Sequence, residues 1–336
     1  MFMRRRSYLE MFDHMNKFAI SQLGFGPVGD IYLLHDGSAA NYLYFRDKVN
    51  DAQMGSSIWL AEDRMVTTRN DVILVTPDNH AWKGEAGATG TALLWDKDNC
   101  HMLGLDPGDK AGYNRARFSH AGYAMANFMT VSGAGCSFKN LRWMHGAATG
   151  GAADVTCLTV SGNGIRFENC GFAGPNDATQ AASANYNGVI ISGSQNYFKN
   201  CMFGSVNDID RSTASSVLKF ATTCGAWNIF ENCVFRSRSG GGQATPVIIN
   251  DATTDTVVDY TALFLNCQFL HQGTALTYAV AKANNVARKL YFDNRCTFVN
   301  VADIVNATEQ AQIHCGSGGA YSAAATGNLL SAGLTT

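Results

Sequence analysis

The sequence predicts an all-β solenoid, in which one supersecondary unit is stacked on copies of itself. The first observation is a short phrase that recurs six times: a phenylalanine, an asparagine two residues later, then a cysteine or apolar residue and another aromatic residue. The second is its spacing, because the asparagines follow one another at steps of 29, 31, 32, 34 and 28 residues. A repeat of that period is typical of solenoids, whose units each contact only their neighbours. The phrases begin at Phe138, Phe167, Phe198, Phe230, Phe264 and Phe292.

Each phrase predicts a short strand followed by a bend. In the second copy, Phe167 and Asn169 point inward and Glu168 outward, but Cys170 follows at once and breaks the alternation. Asparagine tolerates left-handed backbone geometry and bonds neighbouring main chain, so it suits a tight corner. Stacked corners would form a structural ladder of asparagines, with side chains bonded along the stack. Its predicted members are Asn140, Asn169, Asn200, Asn232, Asn266 and Asn294.

A second corner lies five residues before the repeat phenylalanine. Gly133, Gly162 and Gly193 each end a short apolar strand, and Gly225 holds the same position in the next unit. Each period therefore contains a strand, a glycine corner, a strand, an asparagine corner, a third strand and a longer variable loop.

This pattern resembles the right-handed parallel β-helix of pectate lyases and phage tailspikes. The resemblance covers roughly residues 71–315. It is specific for the fold and not for any activity, because function depends on the side chains that a fold presents.

The residue between phenylalanine and asparagine predicts an outward row. Its first four members alternate in sign, and opposite charges on neighbouring strands favour the register. Chance patterning on a solvated face is the alternative. In both cases Glu168 and Glu231 are interpreted as row members and not as catalytic acids. The row is Lys139, Glu168, Lys199, Glu231, Leu265 and Asp293.

Composition bounds the class of protein. The 336 residues are 46% hydrophobic and only 15% charged, which suits a glycine-cornered solenoid with a large core. A formal net charge of −2 argues against nucleic acid as a partner. No apolar run is long enough for a membrane span.

Five of the ten cysteines recur once per unit at an inward position. Free cysteine behaves as a small buried hydrophobe, so an interior stack of reduced thiols is predicted. No cysteine and histidine spacing suits zinc, and no metal or cofactor is expected. The stack is Cys170, Cys201, Cys233, Cys267 and Cys296.

The expected domain organisation has four parts. Residues 1–55 are interpreted as an attachment arm, with a small folded cap as the equal alternative, and residues 56–70 as a capping helix. Residues 71–315 form the parallel β-helix, and the uncharged residues 316–336 a tail ordered by neighbours. The arm carries a helix whose apolar face is Leu9, Phe12, Met15 and Phe18.

The search for an active site identifies no convincing catalytic cluster. Asp208 and Asp210 form one Asp-x-Asp pair, for which a polar loop is the favoured interpretation over a calcium site. Asp251 and Asp255 share a loop without a rigid partner strand, so a glycosidase pair is not indicated. His145 is interpreted as a turn residue.

Two further features are candidates for binding. Arg236 and Arg238 could hold an anion, although a solvated loop is the default interpretation. Trp227, Tyr186 and Tyr260 are the candidate surface aromatics for sugar contact.

The favoured hypothesis is a non-enzymatic structural protein of a tailed-phage virion: a capsid decoration protein or a short spike. The resemblance implies other virion proteins as partners, a homo-oligomer (a trimer by analogy), host polysaccharide as a further partner, and assembly in the host cytoplasm, which the absence of an export signal also indicates. Neither nucleic acid nor a membrane is expected as a partner. The alternative is a phage tailspike or a stand-alone polysaccharide lyase or hydrolase.

Overall fold

The protein is a right-handed parallel β-helix, as the repeat predicted. The computed structural model describes residues 29–35, 54–55, 62–82, 84–85, 88–89, 91–105, 116–120, 127–145, 156–174, 186–205, 210, 216–239, 247–252, 260–282, 289–305, 313–316 and 327–328. Within these ranges no helix is long and apolar enough to cross a membrane.

Three sheets form the walls of the solenoid, and strands are numbered along the chain. Each rung runs from sheet 3 through the glycine corner to sheet 1, and then through the asparagine corner to sheet 2. Sheet 1 contains β1 (Ile31–Leu34), β2 (Met54–Gly55), β3 (Val72–Val75), β8 (His101–Gly104), β11 (Ser137–Lys139), β14 (Arg166–Glu168), β17 (Tyr197–Lys199), β20 (Asn228–Glu231), β23 (Tyr260–Leu265), β27 (Lys289–Phe292) and β30 (Ile313–Cys315). Sheet 2 contains β4 (Asn79–Trp82), β9 (Arg117–His120), β12 (Arg142–Met144), β15 (Gly171–Ala173), β18 (Met202–Phe203), β21 (Val234–Ser239), β24 (Gln268–Gly273), β28 (Thr297–Val299) and β31 (Gly327–Asn328). Sheet 3 contains β7 (Leu93–Trp95), β10 (Asn127–Val131), β13 (Thr156–Val160), β16 (Asn187–Ile191), β19 (Ser216–Phe220), β22 (Ile248–Asn250) and β26 (Val280–Lys282).

Two short pairs lie outside these walls. β25 (Leu276–Tyr278) pairs with β29 (Val301–Asp303) in parallel, and β5 (Gly84–Glu85) pairs with β6 (Ala88–Thr89) in antiparallel orientation.

The repeat phenylalanines lie directly opposite one another on sheet 1. Their rings stack at centroid distances of 4.8–4.9 Å with planes within 14° of parallel. That distance equals the spacing of neighbouring strands, so each rung contributes one ring to a continuous column. A second column on sheet 2 contacts the first edge-on, for example Phe230 with Phe235. The two columns fill the core without a gap in register.

The asparagine corners have left-handed backbones, with φ between 52° and 58° at Asn140, Asn169, Asn200, Asn232 and Asn266. Asn169 donates from Nδ2 to Oδ1 of Asn140 at 2.9 Å, and Asn266 donates to Asn232 at 2.7 Å. The sixth corner differs from the prediction at Asn294. There the extra residue places Asp293 at the corner, and its carboxylate accepts the Asn266 backbone N–H at 2.9 Å.

At the other corner, glycine is required by close approach between rungs. A Cβ on Gly162 would lie 2.5 Å from the carbonyl oxygen of Gly133 in the rung before it. Only a residue without a side chain fits between these backbones.

The N-terminal boundary differs from the prediction. β1 pairs in register with β3, from Ile31 opposite Val72 to Leu34 opposite Val75, so the solenoid begins within residues 1–55 and not at residue 71. The capping helix expected over residues 56–70 is not confirmed, because the described part contains one helical turn at 62–64. The predicted attachment residues Leu9, Phe12, Met15 and Phe18 lie outside the described residues.

Candidate functional site: the outer face of sheet 1

The first half of the outer face of sheet 1 is charged and internally paired. Lys139 lies 3.1 Å from Glu168, which also contacts Arg166 at 2.9 Å, and Lys199 lies 3.8 Å from Glu231. Each pair joins neighbouring strands except the one to Arg166, which lies on the same strand as Glu168. These partners support the interpretation of both glutamates as row members.

Tyr197 completes this half. Its hydroxyl donates to Glu231, and the Arg166 guanidinium lies 5.6 Å from the centre of its ring. Burial raises the pKa of Tyr197, and the Glu231 carboxylate raises it further, so the phenol stays protonated. We call Lys139, Arg166, Glu168, Tyr197, Lys199 and Glu231 the charged half.

Beyond β20 the same face becomes aromatic. Tyr260 makes edge-on ring contacts to Trp227 at 6.1 Å, to Tyr291 at 5.9 Å and to His314 at 5.5 Å. Trp227 is exposed and the other three rings are partly exposed. We call Trp227, Tyr260, Tyr291 and His314 the aromatic platform.

The backbone of Trp227 is unusual. Its φ is 65°, in a glycine-corner column whose other left-handed members are Asn99, Gly135, Gly164 and Gln195. A bulky residue at positive φ is an outlier that costs on the order of 1–3 kcal/mol and persists only where the surroundings enforce it.

Core packing does not explain this strain, because the Trp227 side chain is 44% exposed. The Trp227 backbone N–H donates to the Tyr260 carbonyl at 2.9 Å, as the Gln195 N–H does to the Ala226 carbonyl one rung earlier, and this bond holds the Trp227 main chain against the next rung. An exposed aromatic held at an energetic cost points to a binding role.

His314 and Tyr260 are joined by a hydrogen bond of 2.8 Å between Nδ1 and the phenol oxygen, across 54 residues of sequence. Burial lowers the pKa of His314, and the nearby Lys289 ammonium lowers it further. The imidazole is therefore neutral at neutral pH, and it restrains the Tyr260 ring.

The platform has the chemistry of a saccharide site. The flat faces of sugar rings carry C–H groups that contact aromatic rings well, and aromatic faces carry negative electrostatic potential. Tyrosine and histidine add polar atoms that sugar hydroxyls can bond. The platform spans four consecutive strands of sheet 1, so it is about 14 Å long at the usual strand spacing.

The other predicted surface aromatics and His145 are placed differently. Tyr260 and Trp227 reach the surface, but Tyr186 is wrong as a candidate because it is fully buried. His145 is also fully buried, directly after the end of β12, and its interpretation as a turn residue stays a prediction.

The platform members Tyr291 and His314 were missed by the sequence analysis. The signal that could have found Tyr291 is its position immediately before a repeat phenylalanine, where the side chain faces outward.

The predicted acidic and basic pairs are separate from the platform. Asp208 and Asp255 lie outside the described residues, Asp251 contacts Lys219 at 2.9 Å, and Asp210 is ion-paired with Arg238. Arg236 and Arg238 lie on β21 and not on the loop that the sequence indicated. In the described part of the chain no group of three or more metal-ligating side chains comes together.

The interior cysteines donate to backbone. Cys170, Cys201, Cys233, Cys267 and Cys296 each place Sγ 3.3–3.5 Å from the carbonyl oxygen of the repeat phenylalanine one rung earlier. All ten cysteines are described and free. Burial raises the pKa of the Cys170 and Cys233 thiols, which opposes thiolate chemistry there.

A second polar cluster is buried. Ser237 lies 2.8 Å from Nδ1 of His271, while Nε2 lies 3.1 Å from Ser239 and 2.9 Å from the Thr274 carbonyl oxygen. Both serines are 1% exposed, so the cluster is closed to a polymer. The platform is the better site.

Comparisons with known proteins match the fold. A pectin methylesterase from Aspergillus niger superposes with a TM-score of 0.54 at 15% identity, over 87% of this chain and 81% of that chain. The pectate lyase Pel9A gives a TM-score of 0.53 at 12% identity, over 86% and 74%. A pectin methylesterase in complex with a hexasaccharide gives 0.51 at 12% identity, over 84% and 80%. No protein-family model and no curated protein matches the chain.

These comparisons correct the functional hypothesis. The structures that share the fold are named as pectin methylesterases and a pectate lyase, and the expected tailed-phage virion protein, whether capsid decoration protein or spike, finds no support among them. The hypothesis was wrong because its grounds, which were the regular solenoid, the interior cysteines, the expected attachment arm, the lack of an export signal and the lack of a catalytic cluster, describe a fold and not a role.

Proposed function

We propose that this protein binds a polysaccharide chain across the aromatic platform and acts on it as a polysaccharide lyase or hydrolase. The observation that carries the proposal is Trp227, an exposed indole held in a left-handed backbone beside Tyr260. The corner column sets a left-handed backbone on successive rungs, so the feature that needs an explanation is the exposed indole placed at this position, and stacking against a ligand supplies one.

The neighbouring folds add a chemical class. The superposed proteins are enzymes named for pectin and pectate, which are polymers of sugar acids. At 12–16% identity this likeness concerns the fold, so the substrate class comes from the platform and the names only select the first polymers to test.

One pair in the charged half supplies groups that can exchange a proton with a bound chain, so Glu231, which the sequence analysis interpreted only as a row member, is assigned a second role here. Tyr197 and Glu231 form a hydrogen-bonded acid and base pair on β17 and β20, and Trp227 immediately precedes β20. Both side chains are partly exposed. Tyr197 lies opposite Ile229, two residues along the chain from Trp227, so a polymer bound at Trp227 and continuing along β20 would reach this pair. Tyrosine and glutamate both serve as general acids or bases in enzymes.

The test is binding and turnover of pectin, polygalacturonate and a neutral glucan. We expect Trp227→Ala to weaken binding of the preferred polymer by about tenfold, taking as a guide the loss of about 1–3 kcal/mol when an aromatic side chain that stacks on a nucleic-acid base is replaced by alanine. Leu94→Ala is the matched control, because Leu94 is also 44% exposed but lies on sheet 3.

Turnover is measured as new reducing ends or unsaturated sugars. Tyr197→Phe and Glu231→Gln should abolish product release while binding persists. Glu168→Gln, which removes the same charge further from Trp227, should retain it. Equal binding by wild type and Trp227→Ala for every polymer would refute the proposal.

A further inference from the structure

The hydrogen bond between Tyr260 and His314 determines what the platform offers to a ligand. The two residues lie on β23 and β30, with β27 between them, so the bond spans the end of the platform. A phenol is a better donor than a neutral imidazole N–H, and an imidazole nitrogen is a better acceptor than a phenol oxygen. The favoured arrangement at 2.8 Å is therefore the Tyr260 O–H donating to Nδ1 of neutral His314.

We infer that His314 is a positioning residue that sets the hydrogen-bond polarity of Tyr260, and with it the kind of sugar group that the platform accepts. This inference rests on the proposed function. With neutral His314 the Tyr260 proton is committed, and its oxygen presents an acceptor to a sugar hydroxyl. With protonated His314, Nδ1–H donates to the Tyr260 oxygen, and the phenol proton turns to a ligand acceptor such as a uronate carboxylate.

The surroundings of His314 fix the direction of the change. The Tyr260 ring contacts the rings of both His314 and Tyr291. Lys289, on β27, is the cation whose charge acts on His314. Burial and Lys289 both lower the pKa of His314. The hydrogen bond between His314 and Tyr260 therefore reverses its direction at a pH below the ordinary pKa of histidine. Asp293 acts on Tyr291, whose pKa it raises after burial.

The first experiment needs no ligand. Nitrogen NMR of labelled imidazole in the full-length protein should show neutral His314 protonated at Nε2 and unprotonated at Nδ1. Lys289→Met should move the titration of His314 to higher pH, because a positive neighbour is removed. A neutral His314 protonated at Nδ1 would overturn the inference, as would an unchanged titration in Lys289→Met.

The second experiment measures the ratio of saccharide affinities at two pH values on either side of the His314 titration that the NMR experiment locates, the upper one at about pH 8. For a neutral oligosaccharide we expect the wild-type affinity to fall by about threefold to tenfold on acidification, the value of one hydrogen bond. For an oligouronate we expect it to hold or to rise.

Two variants test whether the hydrogen bond between Tyr260 and His314 causes this pH dependence. His314→Gln and Tyr260→Phe should each bring the ratio for the neutral oligosaccharide close to one, whatever their absolute affinities. A wild-type ratio that persists in both variants would contradict the inference. Absence of any saccharide binding by wild type at either pH refutes the proposed function instead, and the NMR result then decides the hydrogen-bond polarity alone.

Discussion

The charged half and the aromatic platform occupy the same face of the same sheet, yet they differ in one respect that matters. In the charged half the side chains satisfy one another: Lys139 and Arg166 both contact Glu168, and Tyr197 and Lys199 both contact Glu231. On the platform the rings meet edge to face, and they stay exposed or partly exposed, most of all Trp227. The side chains of the charged half are paired with one another, whereas the aromatic platform offers exposed rings to which a ligand can bind.

The rungs beneath the two halves are alike. The phenylalanine column continues under both with centroid distances of 4.8–4.9 Å, and the strands stay parallel, with one register shift between Tyr260 and Ala262 at the platform. The scaffold therefore supplies the spacing, and the outward residues alone decide what each rung does. This separation of roles explains how one fold carries different functions.

The largest effect is expected from truncating a core side chain that packs beneath both halves. Phe230 is fully buried and stacks on both Phe198 and Phe264, under the strand where the halves meet. We expect Phe230→Ala to lower the free energy of unfolding by about 3–5 kcal/mol through cavity formation. Urea denaturation measures this free energy. If the phenylalanine column supports both halves, the charged half and the aromatic platform of the variant should unfold in one transition. A change below about 1 kcal/mol would contradict a continuous column.

Glu62 belongs to neither half, and its titration should make the free energy of unfolding depend on pH. Burial raises the pKa of Glu62 to about 7 from 4.5, and Lys97 at 3.9 Å offsets this only in part. The folded state thus holds this proton more tightly than the unfolded state, so stability falls as pH rises from about 4.5 to about 7.

We expect Glu62→Gln to remove that fall, with a gain of about 1–3 kcal/mol at pH 8 relative to wild type. Asp63→Asn should change the fall only slightly, because Asp63 is exposed and its charge contributes less to the raised pKa of Glu62 than burial and Asp96 do. Urea denaturation across this pH range is the measurement, and a parallel fall in wild type and Glu62→Gln would locate the effect in another group.

The backbone strain at Trp227 provides a test of whether this residue serves binding or stability. Since its φ is 65°, glycine should be more stable than alanine at this position by about 1 kcal/mol, the reverse of the usual order. Both variants should lose saccharide binding. Thermal or urea unfolding of Trp227→Gly and Trp227→Ala gives the order, and a more stable alanine variant would mean that the backbone is not strained.

The smallest effect is expected in the charged half. A double-mutant cycle on Lys139 and Glu168, 3.1 Å apart and partly exposed, should give a coupling of about 0.2–1 kcal/mol that falls with added salt. A salt-independent coupling would show that this half does more than favour register.

The sequence was sufficient for the fold because the residues that define a rung lie close together along the chain. Phe198, Asn200 and Cys201 specify strand, corner and interior within four residues, and five other rungs carry the same phrase with small changes. β1 was missed because Ile31–Leu34 pairs with Val72–Val75 across a long insertion and carries none of the repeat phrase.

The site was only partly predictable because it depends on side chains brought together from different rungs. Trp227 and Tyr260 were recognised as surface aromatics, but Tyr186, at the start of its strand, lies buried. His314 meets Tyr260 from 54 residues away, and only the register of three strands reveals that contact. Chemistry assembled across rungs has no local signal.

The most direct test of the central claim is where a saccharide binds. Titration of the labelled protein with an oligosaccharide of the preferred polymer, followed by NMR, should shift the Trp227 indole N–H and the ring signals of Tyr260 and Tyr291. Residues on the outer face of sheet 3, such as Leu94, should keep their positions. Shifts confined to sheet 2 or sheet 3, with the platform unchanged at saturation, would contradict the account.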